Sequence, residues 1–348
     1  MTITTTARRM RATAAAGALS ALMIATSACA GGSSDTPDGV LNVGQISDSV
    51  AFFPLYVAEE RGYFEDEGLK LGERPRMGTG AKLAAALQSG SIDLGAGVLT
   101  DALNLYGNDD STELVANLVE KYYVDIVVSE DFDGPSADAP LKERIAALEG
   151  KNIGITGPGS GTEALVAYVF QRNGLDPATD AKLVNLGADP SAALGALESG
   201  QVDALSFFQP VPQQAEATGV GTTYISPSRG DIPGFEHTAH GVVFSTRAVR
   251  EDKAEEVEAF QRAIERANKD IREDPKIQEL LASYMEGIDE QAREELVPIM
   301  REQVPPGIGF SKDSVETALE FHTSTGLVEN PPGYTEIVPK DLRAEPAA

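Results

Sequence analysis

Two spacings of apolar positions alternate along the chain between residues 41 and 225. Short runs rich in Val, Ile and Leu, at residues 41–46, 92–98, 114–119, 123–128, 152–156 and 202–208, have the length and β-branched content of buried strands. Between them, Ala- and Leu-rich segments repeat at three- and four-residue steps, at residues 54–61, 81–89, 141–149, 163–173 and 191–199, and predict helices. Strand and helix in turn predict mainly parallel sheets covered on both faces. From Ala248 onward the pattern is almost wholly helical. Val257, Phe260, Ile264, Ala267 and Ile271 form an apolar stripe that should pack on a lobe.

One stretch is written twice. Leu87-Gln-Ser-Gly-Ser-Ile-Asp-Leu94 returns as Leu197-Glu-Ser-Gly-Gln-Val-Asp-Ala204. In the same register, Asn42-Val43-Gly44-Gln45-Ile46 falls on Asn152-Ile153-Gly154-Ile155-Thr156. Joints of the helix–Gly–strand type look alike in many α/β proteins, but two matched blocks in one register indicate two copies of one α/β lobe. A length of 348 residues suits two domains. The reading is residues 40–128 for the first part of lobe 1 and 129–237 for lobe 2. A strand near 238–245 then returns to lobe 1, and C-terminal helices fill the rest of 238–348.

Charge removes one class of function. Lys and Arg number 28 against 54 Asp and Glu, a net charge of −26. Nucleic-acid binding needs a basic footprint, and none is present. Three of the arginines, Arg8, Arg9 and Arg11, open a segment whose apolar stretch, 12–26, is too short and too weakly apolar to be a permanent membrane helix. It leads to Thr26-Ser27-Ala28-Cys29, small residues before the single cysteine of the chain, in the manner of a bacterial lipobox. Residues 1–28 are thus read as a signal peptide and 29–39 as a flexible tether lipidated at Cys29. That places the protein outside the cytoplasm on the cell membrane.

The chemistry should sit in loops beyond the carboxyl ends of the strands, at helix N-termini. Four fit: residues 47–53, 78–82, 97–101 and 157–162. Gly78-Thr79-Gly80 and Gly157-Pro158-Gly159-Ser160-Gly161 let backbone N–H groups approach a ligand. The second is neither a phosphate-binding P-loop nor a dinucleotide fingerprint, and no cofactor is expected. Phe52, Phe53 and Phe208 stand at strand ends where a ring can stack on a ligand. Lys82 is the one cation in these loops and reads either as an anion partner or as a solvated helix-start lysine. Asp48 and Asp101 read first as capping residues, with pairing to a ligand amine as the second use. His237, His240 and His322 have no metal-ligand spacing. Of the three, His240 is the candidate for the site because it lies near the return between lobes.

The blocks at 41–44, 53–69, 78–80, 87–95 and 197–204 together resemble ABC-transporter solute-binding proteins of the nitrate, sulfonate, taurine and thiamine-pyrimidine-precursor binding family. The resemblance runs from about Leu41 to Arg272. It implies a type II periplasmic-binding-protein fold: two doubly wound α/β lobes with two crossovers, a helical C-terminal region, and a ligand clamped between the lobes. By position, the family's pocket falls on Phe52, Phe53, Thr79, Gly80, Gly97, Thr100, Ser160, Gly161, Thr162, Phe208 and Gln209. Gln209-Pro210 departs from the acidic residue plus Pro often found there. The implied partners are a small-molecule ligand and a transporter permease, with the protein itself a monomer. A biosynthetic enzyme of the same fold and a ligand sensor are the alternatives; the single cysteine argues against the enzyme, whose branch carries a cysteine cluster. No Arg lies in the four loops, which argues against small bare anions. The phenylalanines favour a solute with an apolar or planar part: an organosulfonate, an aromatic acid or a pyrimidine.

Overall fold

The computed structural model describes residues 39–72, 74–235 and 237–345. The segments read as a signal peptide and a tether, Cys29 included, lie outside them except for Gly39. Two larger sheets are built from β1 (Val43–Gln45), β2 (Leu94–Val98), β3 (Thr112–Val119), β4 (Val124–Ser129), β5 (Asn152–Ile155), β6 (Lys182–Asn185), β7 (Ala204–Phe208), β8 (Gly221–Ile225) and β9 (Gly241–Thr246). The first sheet has the order β1-β2-β9-β3 and the second β8-β4-β7-β5-β6.

Both sheets are mixed where periodicity predicts mainly parallel ones. β1 and β2 are parallel, as are β5 with β6 and with β7, but β9 runs antiparallel to β2 and β3, and β4 antiparallel to β7 and β8. The cause is the connection between lobes. β4 and β9 are the strands by which the chain enters a sheet from the other one, so each arrives against the local direction. For the same reason β4 belongs to the second sheet, and the boundary between sheets falls at residues 120–123 instead of near 128. The two crossing segments lie side by side. Thr238 N–H donates to the Glu120 carbonyl at 2.8 Å, and His240 N–H to the Val119 carbonyl at 3.0 Å.

The repeated motif has one structural job in each lobe. Asp93 Oδ2 accepts the N–H of Asn42 at 2.8 Å, and Asp203 Oδ2 accepts the N–H of Asn152, also at 2.8 Å. Each carboxylate thus satisfies a backbone donor at the start of the neighbouring parallel strand, β1 or β5. Gly90 and Gly200 have φ of 72° and 70°, the left-handed turn that a side chain would penalise. Gly44 and Gly154 leave room for apolar side chains packed on the strand: a Cβ at Gly44 would stand 2.6 Å from Ile92 Cδ1, and one at Gly154 2.5 Å from Leu186 Cδ1.

The apolar stripe of the long helix Ala254–Glu273 is buried from Val257 to Ile271 against the helix Phe53–Glu60. Phe260 stacks on Phe64 with ring centroids 5.6 Å apart. Removing each such side chain from water contributes roughly 1.5–3 kcal/mol. The remaining C-terminal helices reach both lobes. Glu290–Gln303 packs on Val211–Thr218 of the second lobe as well as on Ala254–Glu273, and Lys312–Ser324 packs on Gly161–Arg172. Among the described residues no helix is long and apolar enough to cross a membrane.

Candidate functional site

A cleft of about 730 Å³ opens between the two sheets, walled by the loops that leave their carboxyl ends. Two helix N-termini face it from opposite lobes. In the first lobe, Thr79 caps the helix Gly80–Gln88 by accepting the Lys82 N–H at 3.3 Å. In the second, Ser160 caps Gly161–Arg172 by accepting the Glu163 N–H at 3.3 Å. The first N–H groups of a helix have no partner within it. Those of Gly80, Ala81, Gly161 and Thr162 find no acceptor among the described residues, so they are free for acceptor atoms of a solute.

Of the sequence candidates, the structure brings Thr79, Gly80, Ser160, Gly161, Thr162, Phe208 and His240 to the cleft. The others stand elsewhere. Phe52 and Phe53 are wholly buried; Phe53 packs on Tyr56 and Tyr284 behind the loop. Their burial follows from the turn before the helix Phe53–Glu60, which drives both rings into the lobe. Thr100 is also fully buried and turns its hydroxyl to His322, 3.2 Å from Nε2. Gln209 lies behind Phe208 in the crossing region, its N–H on the Tyr123 carbonyl at 3.1 Å. Lys82 is exposed at the helix start and does not line the cleft. Gly97 seats another residue instead of a ligand: a Cβ there would stand 2.8 Å from Asp101 Oδ2.

That residue, Asp101, read from the sequence first as a cap and second as a partner for a ligand amine, lines the cleft. Asp101 begins a polar stripe, Asp101, Asn104 and Asn108, that faces the cleft from the helix Leu99–Tyr106 and the turn after it. Its Oδ2 accepts the Val98 N–H at 3.0 Å, so it is a cap, as expected. It is also 8% exposed and pressed against Gly80, where a Cβ would meet Oδ1 at 1.8 Å. Burial pushes its pKa up to about 6, opposed by the Val98 hydrogen bond. The spacing of 101, 104 and 108 on an otherwise apolar helix was the available signal.

The back wall is aromatic. His240 is fully buried, with its ring 4.1 Å from that of Tyr122 and 4.8 Å from that of Tyr123, centroid to centroid. Neither ring nitrogen has a hydrogen-bond partner among the described residues. Burial, and then His322, hold its pKa well below the usual histidine value, so it is neutral at pH 7. Tyr123 lines the cleft near Phe208, taking the place the sequence reading gave to Phe52. The phenol pKa of Tyr123 is raised, mainly by burial, so it stays protonated.

In the second lobe the hydroxyls are partly committed to one another. Thr162 Oγ1 accepts the Thr156 N–H at 3.0 Å and lies 2.7 Å from Ser160 Oγ. Glu163 Oε2 accepts the Gly159 N–H at 2.6 Å. No lysine or arginine lines the cleft among the described residues. Nor is any group of three His, Cys, Asp or Glu side chains among them placed to hold a metal.

Two lobes of mixed α/β structure joined by two crossing segments, with a cleft at facing helix N-termini, define a periplasmic-binding-protein fold. The chain belongs to the NMT1/THI5-like family, whose model matches residues 49–277. The fold is shared with the alkanesulfonate-binding protein SsuA of Xanthomonas axonopodis pv. citri, solved with MOPS bound: TM-score 0.68, 19% identity, 89% of this chain and 100% of that one. It is shared too with the periplasmic nitrate-binding protein NrtA of Synechocystis PCC 6803: TM-score 0.66, 16% identity, 88% of this chain and 87% of that one. YtlA of Bacillus subtilis (strain 168), provisionally named a binding protein, is 26% identical over 196 residues. That match spans 56% of each chain, little more than half the length of the relative.

Proposed function

We propose that this protein is the extracytoplasmic solute-binding component of an ABC importer, capturing a small organic solute between its lobes and delivering it to a membrane permease. The observation that carries the reading is the pair of helix N-termini whose first amides, Gly80–Ala81 and Gly161–Thr162, have no acceptor among the described residues and face one cleft from lobes joined by two crossing segments. Such a cleft holds a polar solute from both sides and closes by rotation at the crossings. The family and the names of the fold relatives point the same way.

Tyr123 and Phe208 would cover an apolar or planar part of the solute, while the amides and hydroxyls hold its polar end. The protein is read as a binder without turnover, and as a monomer. Export by the N-terminal segment and lipidation at Cys29 complete the proposal: Cys29→Ser should release the protein from the membrane fraction, and unchanged membrane association would refute the anchor. Capture itself is tested by a thermal-shift screen of small organic solutes. A compound bound only by the folded state, at a hundredfold excess over its Kd, adds about 2.7 kcal/mol of stability. A hit should be recovered unaltered after incubation; a changed product would make the protein an enzyme.

A further inference from the structure

Among the described residues the cleft is lined by the Asp101 carboxyl and by no lysine or arginine. Each helix N-terminus that faces it already has a carboxylate beside it from the protein itself. Asp101 lies on Gly80 at the start of one helix, and Glu163 holds the Gly159 N–H at the start of the other. An incoming oxyanion would therefore meet two helix ends whose positive partial charge is offset, and no lysine or arginine to assist. Asp101 is only half used: Oδ2 accepts from Val98, while Oδ1 has no hydrogen-bond partner among the described residues. A second group is also unanswered. His240, fully buried, brings two unpartnered ring nitrogens to the back wall of the same cleft. Buried polar atoms without partners are costly unless a ligand or water completes them.

Resting on the capture reading, we propose that the solute is a nitrogenous organic compound whose amino group, neutral or protonated, donates to Asp101, and that the cleft discriminates against oxyanions such as sulfonates and nitrate. The geometry also explains Gly80 and Gly97. Both leave room for the Asp101 carboxyl, which a methyl on either would crowd, at 1.8 Å from Oδ1 and 2.8 Å from Oδ2 respectively. The packing holds the carboxylate at one place on the cleft wall, which a residue serving only as a helix cap does not need.

The test uses the full mature chain and three benzyl probes that differ in one group, benzylamine, benzyl alcohol and phenylmethanesulfonate, with 4-aminopyrimidine as a heteroaromatic amine and sodium nitrate as the bare anion. Titration calorimetry at pH 7.5 should show the amine-bearing probes binding at least tenfold more tightly than phenylmethanesulfonate, with no heat from nitrate. Asp101→Asn keeps the shape and the acceptor for Val98 but removes the charge. It should weaken the amines at least tenfold and benzyl alcohol less, and a melting curve checks that it is folded. Gly80→Ala should reproduce the loss by displacing the carboxyl. The proposal is overturned if phenylmethanesulfonate or nitrate binds as well as the amines, if the amines do not bind, or if Asp101→Asn binds them normally. A broad solute screen separates the two levels. Hits that are all oxyanions sink the donor assignment and leave capture standing, whereas a screen with no hit sinks capture itself.

Discussion

At the scale of single residues, Asp101 links stability to function in opposite senses. Its pKa is raised from the ordinary 3.8 to about 6, so folding disfavours the ionised form. The cost is absent below the ordinary carboxylate pKa, grows as pH rises towards 6 and is fully present above it. Asp101→Asn should therefore raise the stability of the free protein at pH 7.5 by roughly 1–3 kcal/mol, and the gain over wild type should vanish near pH 4. Denaturant melts of both proteins at the two pH values check this; a variant less stable than wild type at pH 7.5 would show the charge to be compensated in the fold. Thr162 behaves differently. Its hydroxyl accepts the Thr156 N–H inside the lobe, so Thr162→Val should lower the stability of the free protein by roughly 1–3 kcal/mol besides any effect on binding. An unchanged melting temperature would contradict it.

The residue scale is also where sequence reasoning reached least far. Glycine and hydroxyl signatures located Thr79, Gly80, Ser160, Gly161 and Thr162 at the cleft because helix N-termini have local sequence rules. Aromatic placement had no such rule. Phe52 and Tyr123 are both ring-bearing residues at strand ends, and only the tertiary arrangement turns the first into the core and the second to the cleft. Lys82 shows the same limit: a helix-start lysine is a plausible anion partner until its side chain is seen in solvent.

At the scale of elements, the duplicated motif was legible because it solves one local problem twice. Asp203 satisfies the Asn152 backbone and also the Asn152 side chain, at 3.0 Å. Asp203→Ala should therefore cost roughly 1–3 kcal/mol in a urea melt, more than the replacement of the exposed Asp131; an equal effect would argue against the shared role. Strand direction was not legible. Apolar periodicity gives a strand's existence and its buried faces, while its partner's direction depends on which sheet the chain has just left. β4 and β9 are the two strands where that matters. The helical stripe from Val257 to Ile271 needed no such context, since five apolar positions at helical spacing specify a buried face. Phe260→Ala should cost roughly 3–5 kcal/mol if that face is core.

At the scale of the whole molecule, the C-terminal helices are part of both lobes. Asp289 N–H donates to Gln214 Oε1 at 2.9 Å across to the second lobe, and the helix Lys312–Ser324 lies on Gly161–Arg172, whose N-terminus faces the cleft. Closure of the lobes must therefore carry these contacts along or slide them. Acid adds a second whole-molecule response. His322 is held at a pKa of about 3 by burial, against 6.5 ordinarily, so its contribution to stability is lost as pH falls from 6.5 towards 3. The central claim, one solute gripped from both lobes, is tested most directly by hydrogen exchange at four amides. Gly80, Ala81, Gly161 and Thr162 have no acceptor among the described residues, and without solute their amides should exchange rapidly. On saturation with a solute found by screening, amides of both pairs should slow together. Protection confined to one pair, or to neither, would contradict the account.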